Sequence, residues 1–519
     1  MSEIFKRPEI KSVDFCVDEN IWGHRLYDEQ LPHLTVLEFL GALGSNLEKP
    51  LRPHEGLGGA FKFQPQRQIR LRGLIFNNPY VESIAESKLA DDEKWRQWFE
   101  RFSQGSTGNG DGVDDIAYLR HSFPNFDDFA KAVELLRSSS FESRSNKRWS
   151  SKFVFPFGPD ALYEDLEINA KGKMSNDRRF FARTGELLYM MLTRAKRGTE
   201  LGDLLAKRLF DREAPMNRLV RAIQGAPQRA EESRQSGYLP EVTNPRFDQI
   251  CEDWLSILAK DMPIYDALEH LIAISGLNLL LYFLERAKSV AGDDDPVEIV
   301  CEIVSKERTK VRALAGDSYQ FNQALPAKAV RAHVESIRQE PGWSAATAGD
   351  FPDAERLKLM RDRFQWPSGN GDDGEDYLSE RPDALVDKLA ELALARHEQH
   401  VGKIHASWSR AIGLSSRRLS RRTRYAPNDR LLKSIVVAIV EDRMQFDEFL
   451  AEARKRYGLI LGDAEGSRLV DAKLVDQAEL SANRDNLEAR LVGLGLVRRL
   501  SDSCSFVENP FAFKGESAC

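Results

Sequence analysis

Between Trp408 and Pro427 the chain reads WSRAIGLSSRRLSRRTRYAP, and six arginines, Arg410, Arg417, Arg418, Arg421, Arg422 and Arg424, fall within 15 residues with no acid among them. A guanidinium is always charged and offers a planar fork of donors that matches a phosphate. Each arginine that meets a backbone phosphate also releases condensed counterions, so such a run can anchor nucleic acid without reading its sequence. Trp408 and Tyr425 flank the run. The other reading of an arginine run is a solvated or protein-docking face.

Further possible chemistry is scattered. Asp18, Glu19, His24, His33, Glu38, His54 and Glu55 could supply acids and bases if the fold brought them together, but nothing in their spacing does so. His397, His400 and His405 lie close in ARHEQHVGKIH, yet HExxH is absent because the second histidine comes one position early; a solvated helix is expected there rather than a metal site. GNGDG at 108–112 fails as a calcium loop, since aligning Gly112 with the loop glycine puts Thr107 first and Tyr118 where the bidentate Glu belongs. The five cysteines are dispersed, with no CxxC, and read as reduced thiols. No GxxxxGK[ST], GxSxG or GxGxxG occurs, so no cofactor is expected and no catalytic residue is assigned.

The last 90 or so residues carry a pattern of their own. Asn428 and Asp429 cap an amphipathic helix through Leu431, Leu432, Ile435, Val436 and Ile439, and a second helix sets Phe446, Phe449, Leu450 and Ala453 in register. A third is expected to start at Ser481, to turn Leu487, Leu491 and Val492 inward, and to stop at Gly493 and Gly495. LVRRL, an SDS turn and CSFVENP then read as two strands ended by Pro510. This stretch resembles the winged-helix family, with Gly462 to Gln477 as an insertion into the compact form. Asn483, Arg484, Asn486 and Arg490 are then the outward positions of the third helix, able to donate to base edges and phosphates, and Arg498 and Arg499 lie on the wing. Asp485 and Glu488 on the same helix keep a protein-docking winged helix open as the alternative.

These residues need a scaffold, and the remaining chain supplies a mainly α one. At 519 residues, with 42% hydrophobic and 30% charged residues, several packed units are expected. A small mixed α/β region spans 1–115, with a strand at Ile69 to Arg72 and a Gly/Ser/Asp loop at 103–115. An all-helical body follows over 116–365, with helices at Phe126–Arg137, Phe180–Lys196, Phe247–Ala259 and Tyr265–Ala287. Asp295 and Pro296 suit the start of a further helix. Residues 366–380, which include WPSGNGDDGED, read as a linker, and 381–519 as a C-terminal unit holding the basic segment and winged helix. Trp95, Trp98, Phe99 and Phe102 form a broad stripe, read as core or as a partner-binding patch.

The net charge of -7 excludes a uniformly basic nucleic-acid coat, so any such contact must be local. No apolar leader opens the chain, and Leu271–Leu284 is too short for a span and reads as a buried helix; a cytoplasmic protein without membrane contact is expected. The whole pattern, a large helical protein with a terminal winged helix and no enzyme motif, is similar to components of bacterial anti-phage defence operons. The expectation is a non-catalytic accessory subunit that contacts double-stranded DNA and one or more protein subunits of the same system. The alternatives are a protein-binding scaffold and a metal-dependent nuclease or hydrolase built on the dispersed N-terminal groups.

Overall fold

In a computed structural model, the described residues are 15–52, 62–63, 74–75, 78–105, 116–138, 166–168, 174–176, 182–225, 234–304, 309–346, 348–367, 381–501 and 504–512, with Arg7 and Glu9. The architecture is mainly helical. The expected strand at Ile69 to Arg72, most of the expected loop at 103–115, and residues 368–380 of the expected linker lie outside the described residues.

The elements that matter here are α1 (Asp18–Trp22), α2 (Pro32–Gly44), α3 (Asp91–Gly105), α4 (Phe126–Ser138), α5 (Thr184–Arg194), α6 (Pro245–Leu258) and α7 (Ile264–Val290). They are followed by β1 (Ile299–Val300), α8 (Lys310–Glu335), α9 (Pro382–Gln399), α10 (Ile404–Ala411), β2 (Ser415–Ser416), β3 (Arg424–Tyr425) and α11 (Asp429–Ile439). The chain ends in β4 (Arg443–Gln445), α12 (Phe446–Tyr457), β5 (Leu459–Ile460), α13 (Gln477–Gly493), β6 (Val497–Ser501) and β7 (Cys504–Glu508).

The axis of the fold is α7, which is apolar all round and contacts α1, α2, α6, α8, α10 and α11. It is long and apolar enough to cross a membrane, but 89% of its most apolar window is buried inside the protein. Three of its buried polar groups are matched, while the Tyr282 hydroxyl has no hydrogen-bond partner among the described residues. Asn278 donates to Asp253 at 2.9 Å, Ser275 accepts from the Trp254 indole at 2.9 Å, and Arg286 donates to the Ile21 carbonyl at 3.1 Å. Such pairing is what allows polar groups inside an apolar helix bundle.

Side-chain caps start at least four of these helices: Asn125 for α4, Asn244 for α6, Thr309 for α8 and Asn428 for α11, each accepting a main-chain N–H of the first turn. The expected helix after Asp295 and Pro296 is replaced by the extended segment leading to β1. That strand pairs in parallel with β5, Ile299 opposite Leu459 and Val300 opposite Ile460. Gly458 makes the pairing possible. Its φ of +67° ends α12 in the left-handed region, and a Cβ there would stand 2.1 Å from the Val297 carbonyl oxygen.

One apolar core runs from Phe15 to Val507 among the described residues, so elements on both sides of 366–380 share it. Trp366, at the head of the expected linker, is itself buried. The aromatic stripe of α3 is core as well. Trp95 and Trp98 are fully buried and pack edge-to-face with Phe126 and Phe129 of α4, so the partner-patch reading of that helix falls away.

At the C-terminal end the order is helix, strand, helix, strand, short helix, helix, strand, strand; β5 pairs with β1, and the other three strands form one antiparallel sheet in the order β6, β7, β4. The third helix starts earlier than expected, at Gln477, so Ser481 is interior rather than a cap. It buries Leu480, Asn483, Leu487 and Leu491, whereas Val492, expected inside, is 41% exposed. The intervening Gly462–Gln477 stretch holds a short helix, Ser467–Asp471, and its Val475 packs with Leu480 against Val311 of α8.

Candidate nucleic-acid interface

The arginine segment folds as a hairpin on the surface of this core. β2 and β3 pair antiparallel, Ser415 opposite Tyr425 and Ser416 opposite Arg424. The root is buried. Arg424 is 1% exposed and forms an ion pair with Glu302, which also accepts from Arg312 Nε at 2.7 Å. Arg424 was expected among the phosphate contacts; it is instead the anchor of the hairpin, because its guanidinium is enclosed by that carboxylate and by the Arg418 carbonyl at 2.8 Å. Tyr425 beside it is fully buried, its hydroxyl 2.6 Å from His405 Nε2 and accepting from Asn322 Nδ2 at 3.0 Å.

Above the root the loop satisfies its own main chain. Ser416 Oγ accepts from Arg418 N at 3.0 Å, Ser420 Oγ accepts from Arg422 N at 3.1 Å, and Ser420 N donates to the Arg417 carbonyl at 3.1 Å. Arg417 donates to Thr423 Oγ1 at 2.7 Å. Arg417, Arg418, Arg421 and Arg422 are exposed, as is Arg410 at the end of α10. The carboxylate of Asp317 stands 3.6 Å from Arg422, but both side chains are more than 60% exposed, so water screens the pair.

A cleft lies on each side of the hairpin tip. One, of about 610 Å³, is lined by Arg410, Arg418, Arg490, Ser415, Ser416 and Asn428 among others. The second, of about 540 Å³, is lined by Arg312, Arg421, Arg422, Arg424, Ser420 and Thr309 among others. Leu419 borders both.

The third helix contributes less than its sequence suggests. Asn483, expected to reach base edges, is buried; it accepts from Ile303 N at 2.8 Å and donates to the carbonyls of Cys301 and Leu461 at 3.0 and 2.8 Å. It therefore ties the ends of β1 and β5 together. Arg484 is held by Asp447 at 2.5 Å over the ring of Phe446, and Arg490 by Asp429 at 2.6 Å, so both brace α13 against its neighbours. Asn486 is exposed. Arg498 and Arg499 are exposed on β6, Arg499 donating to Glu488 at 2.6 Å.

Asn483→Ala is accordingly expected to destabilise the protein by about 2–3 kcal/mol, the desolvation penalty of buried main-chain groups left without partners. Urea denaturation measures this, and no change in the midpoint would remove Asn483 from the core.

The other sequence candidates separate. His397 and His405 are buried rather than solvated, because α9 and α10 pack them inward: His397 Nδ1 is 2.9 Å from Asp18, while His400 pairs with Asp28 at 2.9 Å. Glu38 accepts from Gly185 N and Gln30, and Glu19 faces Arg25 at 3.3 Å. Burial drives His24 down to about 3 and His33 down to about 4. His54 and Glu55 lie outside the described residues. No group of three or more His, Cys, Asp or Glu that could hold a metal ion occurs among the described residues.

The missed participants are Glu302 and Arg312. The signal for Glu302 was its place in IVCEIV, an apolar run in which a carboxylate needs a buried partner. Comparison with protein-family models, curated proteins and solved structures gives no match, so the interface stands on its own residues.

Proposed function

We propose that this protein is a DNA-associated accessory subunit that grips the duplex by its phosphates through the 415–425 hairpin. The observation that carries this reading is the set of exposed arginines at 410, 417, 418, 421 and 422 on a self-satisfied loop, between two arginine-lined clefts. Phosphate contacts of this kind fix position without reading bases. The helix and strand order of the C-terminal end, with its sheet order β6, β7, β4, supports a winged helix, and Arg498 stands exposed on β6 as on a wing, while Arg499 beside it is paired with Glu488. Base reading by α13 has little support, since its arginines are engaged in ion pairs and Asn483 is buried.

The outer face of α13 favours a second reading for that helix. Ala478, Ala482, Asp485, Ala489 and Val492 are exposed there, a surface without cations that suits a protein subunit better than a phosphate. The protein would then bridge DNA and a partner, the setting implied by the resemblance to defence-operon components.

Fluorescence anisotropy with a labelled duplex tests the DNA reading. Replacing Arg417, Arg418, Arg421 and Arg422 together with Ala should weaken binding for every sequence and flatten its salt dependence by roughly 0.9 in log–log slope per lost contact. Salt-independent binding, or none at micromolar protein, rejects DNA and leaves the protein scaffold.

A further inference from the structure

Leu419 is an anomaly on the hairpin. It is 61% exposed at the tip, and its φ of +57° is a conformation that a leucine adopts only when the surrounding chain imposes it. A glycine or asparagine would take that position without strain, and burial does not explain an apolar side chain there. Around it the chain is held by the Arg424 anchor and by the two serine hydroxyls, so the leucine is fixed as a rigid point. The arginine-lined clefts fall away on its two sides.

We propose that Leu419 is a wedge that enters the minor groove and parts a base step, while the two clefts receive the phosphates of the two strands. Apolar side chains that unstack a step between cationic backbone contacts are a known means of kinking duplex DNA. In one cleft the strand meets Arg410 and Arg418, with Arg490 already paired to Asp429; in the other it meets Arg421 and Arg422. The geometry suits a duplex better than a bilayer. A membrane surface is met by a broad apolar face, whereas here one leucine stands between two concave, cationic walls. The inference rests on the DNA reading above and adds deformation to it.

The test uses the full chain and a duplex carrying 2-aminopurine beside a central TA step, a step that unstacks easily. With the natural chain and with Leu419→Met, which keeps an apolar point, 2-aminopurine fluorescence should rise on binding, and end-to-end energy transfer should report a bend. With Leu419→Gly, which also relieves the strained φ and so should fold at least as well, anisotropy should still show binding while both signals stay at the level of the free duplex. If the natural chain binds without unstacking or bending, or if Leu419→Gly unstacks as fully, the wedge is wrong and phosphate gripping stands. If no duplex binds, both readings fall. Binding to vesicles of anionic lipid that needs Leu419, with no duplex unstacking, overturns the wedge in favour of a membrane contact.

Discussion

Glu302→Gln is expected to lower the stability of the protein by about 3–5 kcal/mol, the usual effect of removing one partner from a buried ion pair. The amide keeps the shape but not the charge, and the Arg424 guanidinium, 1% exposed, is left as an uncompensated buried cation. Arg312 loses its ion pair with Glu302 as well, though at 13% exposure it can turn towards water more readily. The double replacement Glu302→Met with Arg424→Met should recover much of the loss, since apolar residues of similar volume often substitute for such a pair. Urea denaturation gives the comparison. A loss below 1 kcal/mol for Glu302→Gln would show that the pair is not the root of the hairpin. Duplex binding should weaken in the same variant although none of its exposed arginines has changed, because the loop they stand on has lost its anchor.

The second large effect is acid lability. Burial pushes His24, His333 and His405 down to about 3 and His33 down to about 4, while in the unfolded chain each titrates near its ordinary value of about 6.5. Below that value the unfolded chain takes up protons that the folded chain refuses, so stability is complete above about pH 6.5 and falls as the pH approaches 3 to 4. At pH 5 each of the four loses about 2 kcal/mol, or up to about 8 kcal/mol together, against a total stability of about 5–15 kcal/mol for a typical protein. Glu19 and Asp253, whose carboxyls burial raises, act in the opposite sense and offset part of the loss. The midpoint of urea unfolding should therefore drop steeply between pH 7 and pH 5; a flat profile across that window would mean that these histidines charge in place.

What could be read from the sequence was whatever repeats along one element. The apolar spacing of α5, α6, α7, α11 and α12 located them to within a few residues, and Asn428 announced its own cap. The site was less legible, for reasons that are local. Arg422 and Arg424 are two positions apart and chemically identical, yet one points to water and the other closes on Glu302, 122 residues away in the chain. Asn483 reads as outward only when the helix is taken to begin at Ser481. Once Leu480 is included, the buried face runs through 480, 483, 487 and 491, and the asparagine falls on it. Pairings such as β1 with β5 rest on two residues per strand and leave no period to detect.

The placement of α7 governs how the chain must be made. This helix is complete once residue 290 has left the ribosome, but α10 and α11, which cover part of it, end at residues 411 and 439. At typical synthesis rates of about 5–20 residues per second, roughly 150 residues of delay leave one of the most apolar surfaces in the protein uncovered for about 7–30 s. Chains stopped between those two points should therefore aggregate or be held by chaperones, and a premature stop late in the coding sequence would be as damaging as one near its start.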